Sequence, residues 1–221
     1  MATSSRSSRY RAPVRVSDQH RLLFVHVQKT GGNTVRAVFN AAAPDARNPL
    51  GELPKHAHLG GILKAEPGLA EYEVFGFVRN PWSRMVSWWN MIQDAKENAE
   101  AGNAGAVERL RTNRFMRLIA TTYDTFDDFA IRGPGEFPRL GTPQIRYLAT
   151  PGRRADFIGR TERLATDLPA AFARVGVVID EVPQANASSA RPPYQEFYSD
   201  ASRRSVAAVY AEDITEFGYA F

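Results

Sequence analysis

Cysteine is absent from this chain of 221 residues, so its stability does not come from disulfides, and the sequence is neutral about redox compartment. Long hydrophobic runs are absent too. No stretch reaches the roughly 18 apolar residues of a membrane helix, and the N-terminus lacks the apolar centre of a secretory signal. A soluble, cytoplasmic protein without a membrane span is therefore expected. Residues 1–16 hold no acidic residue but carry Arg6, Arg9, Arg11 and Arg15 among serines. That composition predicts a disordered basic tail over residues 1–17, although a transit peptide has a similar make-up. Internal repeats and domain linkers are missing as well, so residues 18–221 read as one domain. The length suits a sizeable core, and 43% hydrophobic residues is ordinary for a globular chain. A net charge of +4 suits an acidic ligand, and fits nucleic-acid or membrane-surface binders equally.

What is present is concentrated in two segments. Residues 22–34 read Leu-Leu-Phe-Val-His-Val-Gln-Lys-Thr-Gly-Gly-Asn-Thr, an apolar strand running into a diglycine turn that opens a helix. Backbone N–H groups at such a turn, together with the helix dipole, hold an anion without any side chain, and Lys29 adds a full positive charge. The order is not that of the kinase and ATPase loop, where the lysine follows the glycines. Residues 74–89, Val-Phe-Gly-Phe-Val-Arg-Asn-Pro-Trp-Ser-Arg-Met-Val-Ser-Trp-Trp, repeat the strand, turn and helix, with Pro81 suited to the first helical position. Arg79 ends that strand and Ser87 lies two turns into the helix. The planar fork of an arginine matches a phosphate with paired hydrogen bonds.

The first segment resembles the 5′-phosphosulfate loop of sulfotransferases that use 3′-phosphoadenosine 5′-phosphosulfate (PAPS), in the Lys-Thr-Gly-Gly branch of carbohydrate and heparan type. The second resembles that family's 3′-phosphate site. Further likenesses are Asp156-Phe-Ile-Gly-Arg160-Thr-Glu162, Asn186-Ala-Ser188 and Asp213-Ile-x-x-Phe217-Gly-Tyr219, so the resemblance runs from about residue 20 to the end. It implies an α/β fold, a single P-loop-like domain with a central parallel sheet flanked by helices. It also implies a nucleotide-binding transferase that moves the sulfuryl group of PAPS to a hydroxyl of a glycan or small-molecule acceptor and releases 3′,5′-bisphosphoadenosine (PAP). Lys29, Thr30, Gly31, Gly32, Asn33 and Thr34 would hold the phosphosulfate, Arg79 and Ser87 the 3′-phosphate, and Ser188 and Arg191 would close over the adenosine. Arg160 and Glu162 read better as a structural ion pair. Three departures stand out: Gln28 replaces a proline usual before the lysine, Asn33 stands where Thr, Ser or Ala is commoner, and Asn80 stands where other members have Asp.

Lys29 is placed to neutralise the departing PAP. A general base is needed for the acceptor hydroxyl, and His56 and His58, in Leu-Pro-Lys-His-Ala-His between the two motifs, are the candidates. His56 is preferred because Lys55-His56 resembles the Lys-His of soluble relatives; His58 remains the alternative. Two histidines without a nearby Cys or carboxylate make a poor zinc set, so no metal is expected. His26 reads as support for the turn, and Trp82, Trp88, Trp89, Met91 and Ile92 read as core. Two other functions compete: a P-loop nucleotide kinase, and a nucleic-acid binder driven by the basic tail. The periodicity predicts strands at Leu22–Val27, Val74–Val78 and Phe157–Gly159, and helices at Asn33–Ala43, Leu59–Lys64, Pro81–Lys96, Val107–Ala120, Phe126–Ile131, Thr161–Val175 and Ser199–Phe217. Residues 132–143, rich in Gly and Pro, read as a loop and a candidate lid.

Overall fold

The computed structural model describes residues 14–50, 53–54, 56–183 and 191–221. Lys55 and the Asn186-Ala-Ser188 segment lie outside them. The chain divides into two compact units, the first from Met1–Val78 and Arg146–Ala185, the second from Arg79–Ile145 and Asn186–Phe221.

The chain opens in the first unit with β1 (Arg15–Ser17), β2 (Leu22–Val25), α1 (Gly32–Ala42), α2 (Leu59–Ala65) and β3 (Glu73–Val78). The second unit then takes α3 (Pro81–Glu100), α4 (Ala104–Thr112), α5 (Arg114–Thr122), α6 (Phe126–Glu136) and α7 (Pro138–Gly141). After the short helix α8 (Ile145–Leu148), the first unit adds β4 (Ala149–Thr150), β5 (Arg153–Arg154), β6 (Phe157–Arg160) and α9 (Leu164–Ala173). The second unit ends with α10 (Asp200–Val209) and α11 (Ala211–Phe217).

The first unit holds a four-stranded sheet in the order β1-β2-β3-β6. β1 is antiparallel to β2, whereas β2, β3 and β6 are mutually parallel neighbours, with Phe24 opposite Phe75 and Phe77 opposite Gly159. Strands buried on both faces read as unbroken apolar runs, which is why Leu22–Val25 and Val74–Val78 were legible. One face packs Phe24, Phe75 and Phe77 against Val35, Val38 and Phe39 of α1 and Leu164, Leu168 and Phe172 of α9. On the other face Gly76 leaves space for Leu148, whose Cδ2 would lie 2.3 Å from a Cβ there. Arg15 corrects the extent of the basic tail. It sits in β1, 4% exposed, and donates to Asn40 Oδ1 at 3.0 Å and to the Val14 carbonyl at 2.9 Å.

Among the described residues the second unit is helical. Trp82, Met85, Trp88 and Ile92 of α3 pack with Met116, Ile119, Tyr123, Phe129, Leu140, Val206 and Tyr210, so the tryptophans form core, as expected. Two helix expectations and one loop expectation need correction. The single helix at 107–120 is two, because Asn113 adopts extended angles and caps α5 by accepting the Met116 N–H at 3.2 Å. The terminal helix is also two, divided at the buried Tyr210. The candidate lid at 132–143 is largely helical: α6 runs through Pro134 to Glu136, and Pro138 starts α7. Gly141 serves close packing there, since a Cβ would lie 2.3 Å from the Pro134 carbonyl oxygen.

Candidate active site

In the first unit, β2 ends at Val25 and the chain turns through residues 26–31 into α1. The turn is held in unusual backbone conformations. Lys29 has φ of 67° and Gly31 φ of 77°, and the lysine in that left-handed region is strained for an L residue. The buried Thr30 hydroxyl donates to the Val27 carbonyl at 2.8 Å, so it closes the turn and leaves only its N–H for an anion. Gly31 is the N-cap of α1, no side chain caps that helix, and its first turn holds no acidic residue. The N–H groups of Gly32, Asn33 and Thr34 therefore sit at a dipole end open to an anion, and this fits the phosphosulfate of PAPS.

Gly32 is required for a second reason. A Cβ at this position would lie 1.9 Å from His26 Nε2, so the imidazole occupies the space a side chain would need. The His26 ring lies 4.9 Å from that of His56, centroid to centroid. His58 is oriented separately: its Nδ1 lies 2.9 Å from the Arg146 carbonyl, and its ring packs against that of Tyr147, centroids 4.0 Å apart and planes tilted by 31°. A carbonyl only accepts, so Nδ1 carries a proton, and in the neutral ring Nε2 is the acceptor nitrogen. Tyr147 in turn has its hydroxyl 3.3 Å from Gln28 Oε1. Both candidate bases are thus joined to the turn, His56 through His26 and His58 through Tyr147 and Gln28. The sequence reading missed Tyr147, and a single aromatic in a short helix carries no signal for it. It also treated Gln28 only as a departure from proline, whereas the amide gives Tyr147 a partner.

In the second unit, Arg79 directly follows β3 in the chain and precedes the N-cap Asn80. The Asn80 side chain accepts from the Trp82 and Ser83 N–H groups at 3.0 and 3.2 Å, so α3, unlike α1, is capped from within. This end therefore offers side chains rather than backbone N–H groups. Arg79 Nε donates to Ser83 Oγ at 3.0 Å, and Ser87 lies one turn beyond Ser83 on the same helix. Ser83 was missed in the sequence, where the spacing of Arg79 and Ser87 drew the attention. Arg191 is ion-paired with Asp94 of α3, and that carboxylate pulls its guanidinium pKa further up. Ser188 lies outside the described residues. Arg160 donates its backbone N–H to Asp167 at 2.8 Å, which ties it to the start of α9.

The sulfotransferase family model matches residues 12–220, nearly the whole length. The chain belongs to the sulfotransferase family. No curated protein and no solved structure matches it. Membership establishes an enzyme that transfers a sulfuryl group to an acceptor, on an α/β fold with a mostly parallel sheet, as the sequence implied. Among the described residues no helix is long and apolar enough to cross a membrane, and no cluster of three His, Cys, Asp or Glu is arranged to hold a metal.

Proposed function

We infer that this sulfotransferase uses PAPS as donor and a hydroxyl of a glycan or small molecule as acceptor. The observation that carries the reading is the uncapped N-terminus of α1 behind Lys29 and Gly31. Lys29 and the N–H groups of Thr30 to Thr34 take the 5′-phosphosulfate, with the Thr34 hydroxyl as a further donor. Arg79 and Ser87 take the 3′-phosphate, Arg191 exchanges Asp94 for the nucleotide, and Ser188 is assigned to the same closure over the adenosine. The acceptor oxygen attacks sulfur in line, the bond from sulfur to the bridging phosphate oxygen breaks, and Lys29 stabilises the charge left on PAP. The acceptor proton passes to a histidine. His56 is favoured by its contact with His26 over the turn; the carbonyl-fixed tautomer is the observation in favour of His58.

The experiment is single-turnover transfer from PAPS over sugars, phenols, lipids and natural products, run in parallel with ATP. Sulfated product with PAPS and no phosphorylated product with ATP is expected, and the reverse would move the chain to the kinase reading. Once an acceptor is found, His56→Ala should slow transfer by about a hundredfold or more, with little effect of His58→Ala. The opposite pattern assigns the base to His58, and near-normal transfer in the double variant removes both.

A further inference from the structure

Gln144 and Asp213 take no part in the chemistry above, yet both are fully buried. The Gln144 amide engages both backbone groups of Arg79. The Arg79 N–H donates to Oε1 at 2.9 Å, and Nε2 donates to the Arg79 carbonyl at 2.8 Å. Asp213 of α11 stands behind it, accepting from the Gln144 backbone N–H at 2.8 Å, from Gln144 Nε2 at 3.2 Å and from the Ile145 N–H at 3.0 Å. Burial pushes the Asp213 carboxyl up, opposed by these N–H donors and by the Arg84 guanidinium. Arg84 is also fully buried and donates to the Tyr210 hydroxyl at 3.2 Å.

Arg79 sits where β3 has ended and α3 has not begun, so neither ladder nor helix supplies its backbone partners. An amide that satisfies one residue's N–H and carbonyl together acts as a strand partner and restricts its φ and ψ. Two fully buried polar side chains, brought from 65 and 69 residues' separation, are a costly way to hold an ordinary loop. They are appropriate where the direction of one side chain matters.

We propose that Gln144, backed by Asp213, is a positioning residue that aims Arg79 at the 3′-phosphate of the nucleotide. The inference rests on the reading of Arg79 as the 3′-phosphate arginine. Calorimetry of the full chain with PAP and with 5′-AMP tests it, because the ratio of the two affinities isolates the 3′-phosphate. Gln144→Met should lower that ratio about tenfold while leaving 5′-AMP within about twofold, since the Arg79 backbone groups lose their partner. Asp213→Asn, which keeps volume and one acceptor, should lower it less and serves if Gln144→Met does not fold. Adding Gln144→Met to Arg79→Ala should lower the ratio no further. An unchanged ratio in either folded single variant overturns the proposal. So does an equal loss for both nucleotides, which marks a purely structural role, or an additive loss in the double variant. A wild-type protein that binds PAP and 5′-AMP equally instead removes the 3′-phosphate reading, and this inference with it.

Discussion

In the proposed reading, the N-termini of α1 and α3 solve the same problem, holding an anion, in opposite ways. α1 begins at a left-handed glycine with no side-chain cap, so its backbone N–H groups are left for an outside anion. α3 begins at Asn80, whose side chain takes two of those groups, and offers Arg79, Ser83 and Ser87 in their place. The first arrangement depends on what is missing at Gly31 and Gly32, the second on what distant residues supply. An anion site made of backbone is sensitive to any added atom. One made of side chains is sensitive to whatever aims them.

The largest break is expected at Lys29. Lys29→Ala should slow single-turnover transfer by about a hundredfold or more, as loss of a preorganised charge at a leaving group does. Its melting temperature should change far less than its turnover, because alanine keeps the same left-handed backbone strain; wild-type transfer would show that the lysine is not aimed at the leaving group. Next comes Gly32→Ala. The added Cβ has no room beside His26, so PAP affinity and melting temperature should both fall, whereas Gly61→Ala in α2, with nothing within 4 Å, should leave binding intact. Equal behaviour of the two variants would contradict the tight turn.

Asn80→Ala sharpens the contrast from the other side. It should destabilise by about 1 kcal/mol through loss of the cap, read in denaturant, while changing PAP affinity less than Gly32→Ala does. The smallest effect is in pH. Hydrogen bonds from Arg47 hold the Asp18 and Glu66 carboxyls of the first unit below their usual range. Their stabilisation is present above the ordinary carboxylate pKa and is lost as pH falls through the depressed values. Asp213 of the second unit has the opposite sign: burial raises it, so its contribution is present below its ordinary pKa and is lost as pH rises through the raised one. Melting temperature against pH should therefore lose part of its acid fall in Arg47→Met and part of its decline above the acid range in Asp213→Asn. Parallel curves for wild type and both variants would refute the assignments.

The parallel strands β2, β3 and β6 and the Lys-Thr-Gly-Gly turn were legible because both are local: an apolar run predicts a buried strand, and a diglycine after it predicts a helix start. Asn113 was passed over because it lies within a stretch of helical periodicity, although Asn is a good N-cap. The Gly and Pro residues of 132–143 suggested a loop, yet they permit close packing between two short helices. Gln144, Tyr147 and Ser83 could not be found from pattern. Their roles come from partners that only the fold or the helical turn brings near, 65 residues away for Gln144 and Arg79. Arg15 shows the reverse error, since a cluster of arginines predicted solvent and one of them is buried under hydrogen bonds.

Titration of the wild-type protein with PAP, 5′-AMP and ATP by calorimetry tests the central claim most directly, because it asks whether a nucleotide bearing both phosphates is the natural occupant. PAP should bind tightest, by about tenfold or more, as charge-assisted hydrogen bonds to the 3′-phosphate require. Equal affinity for PAP and 5′-AMP, or preference for ATP, would contradict the account.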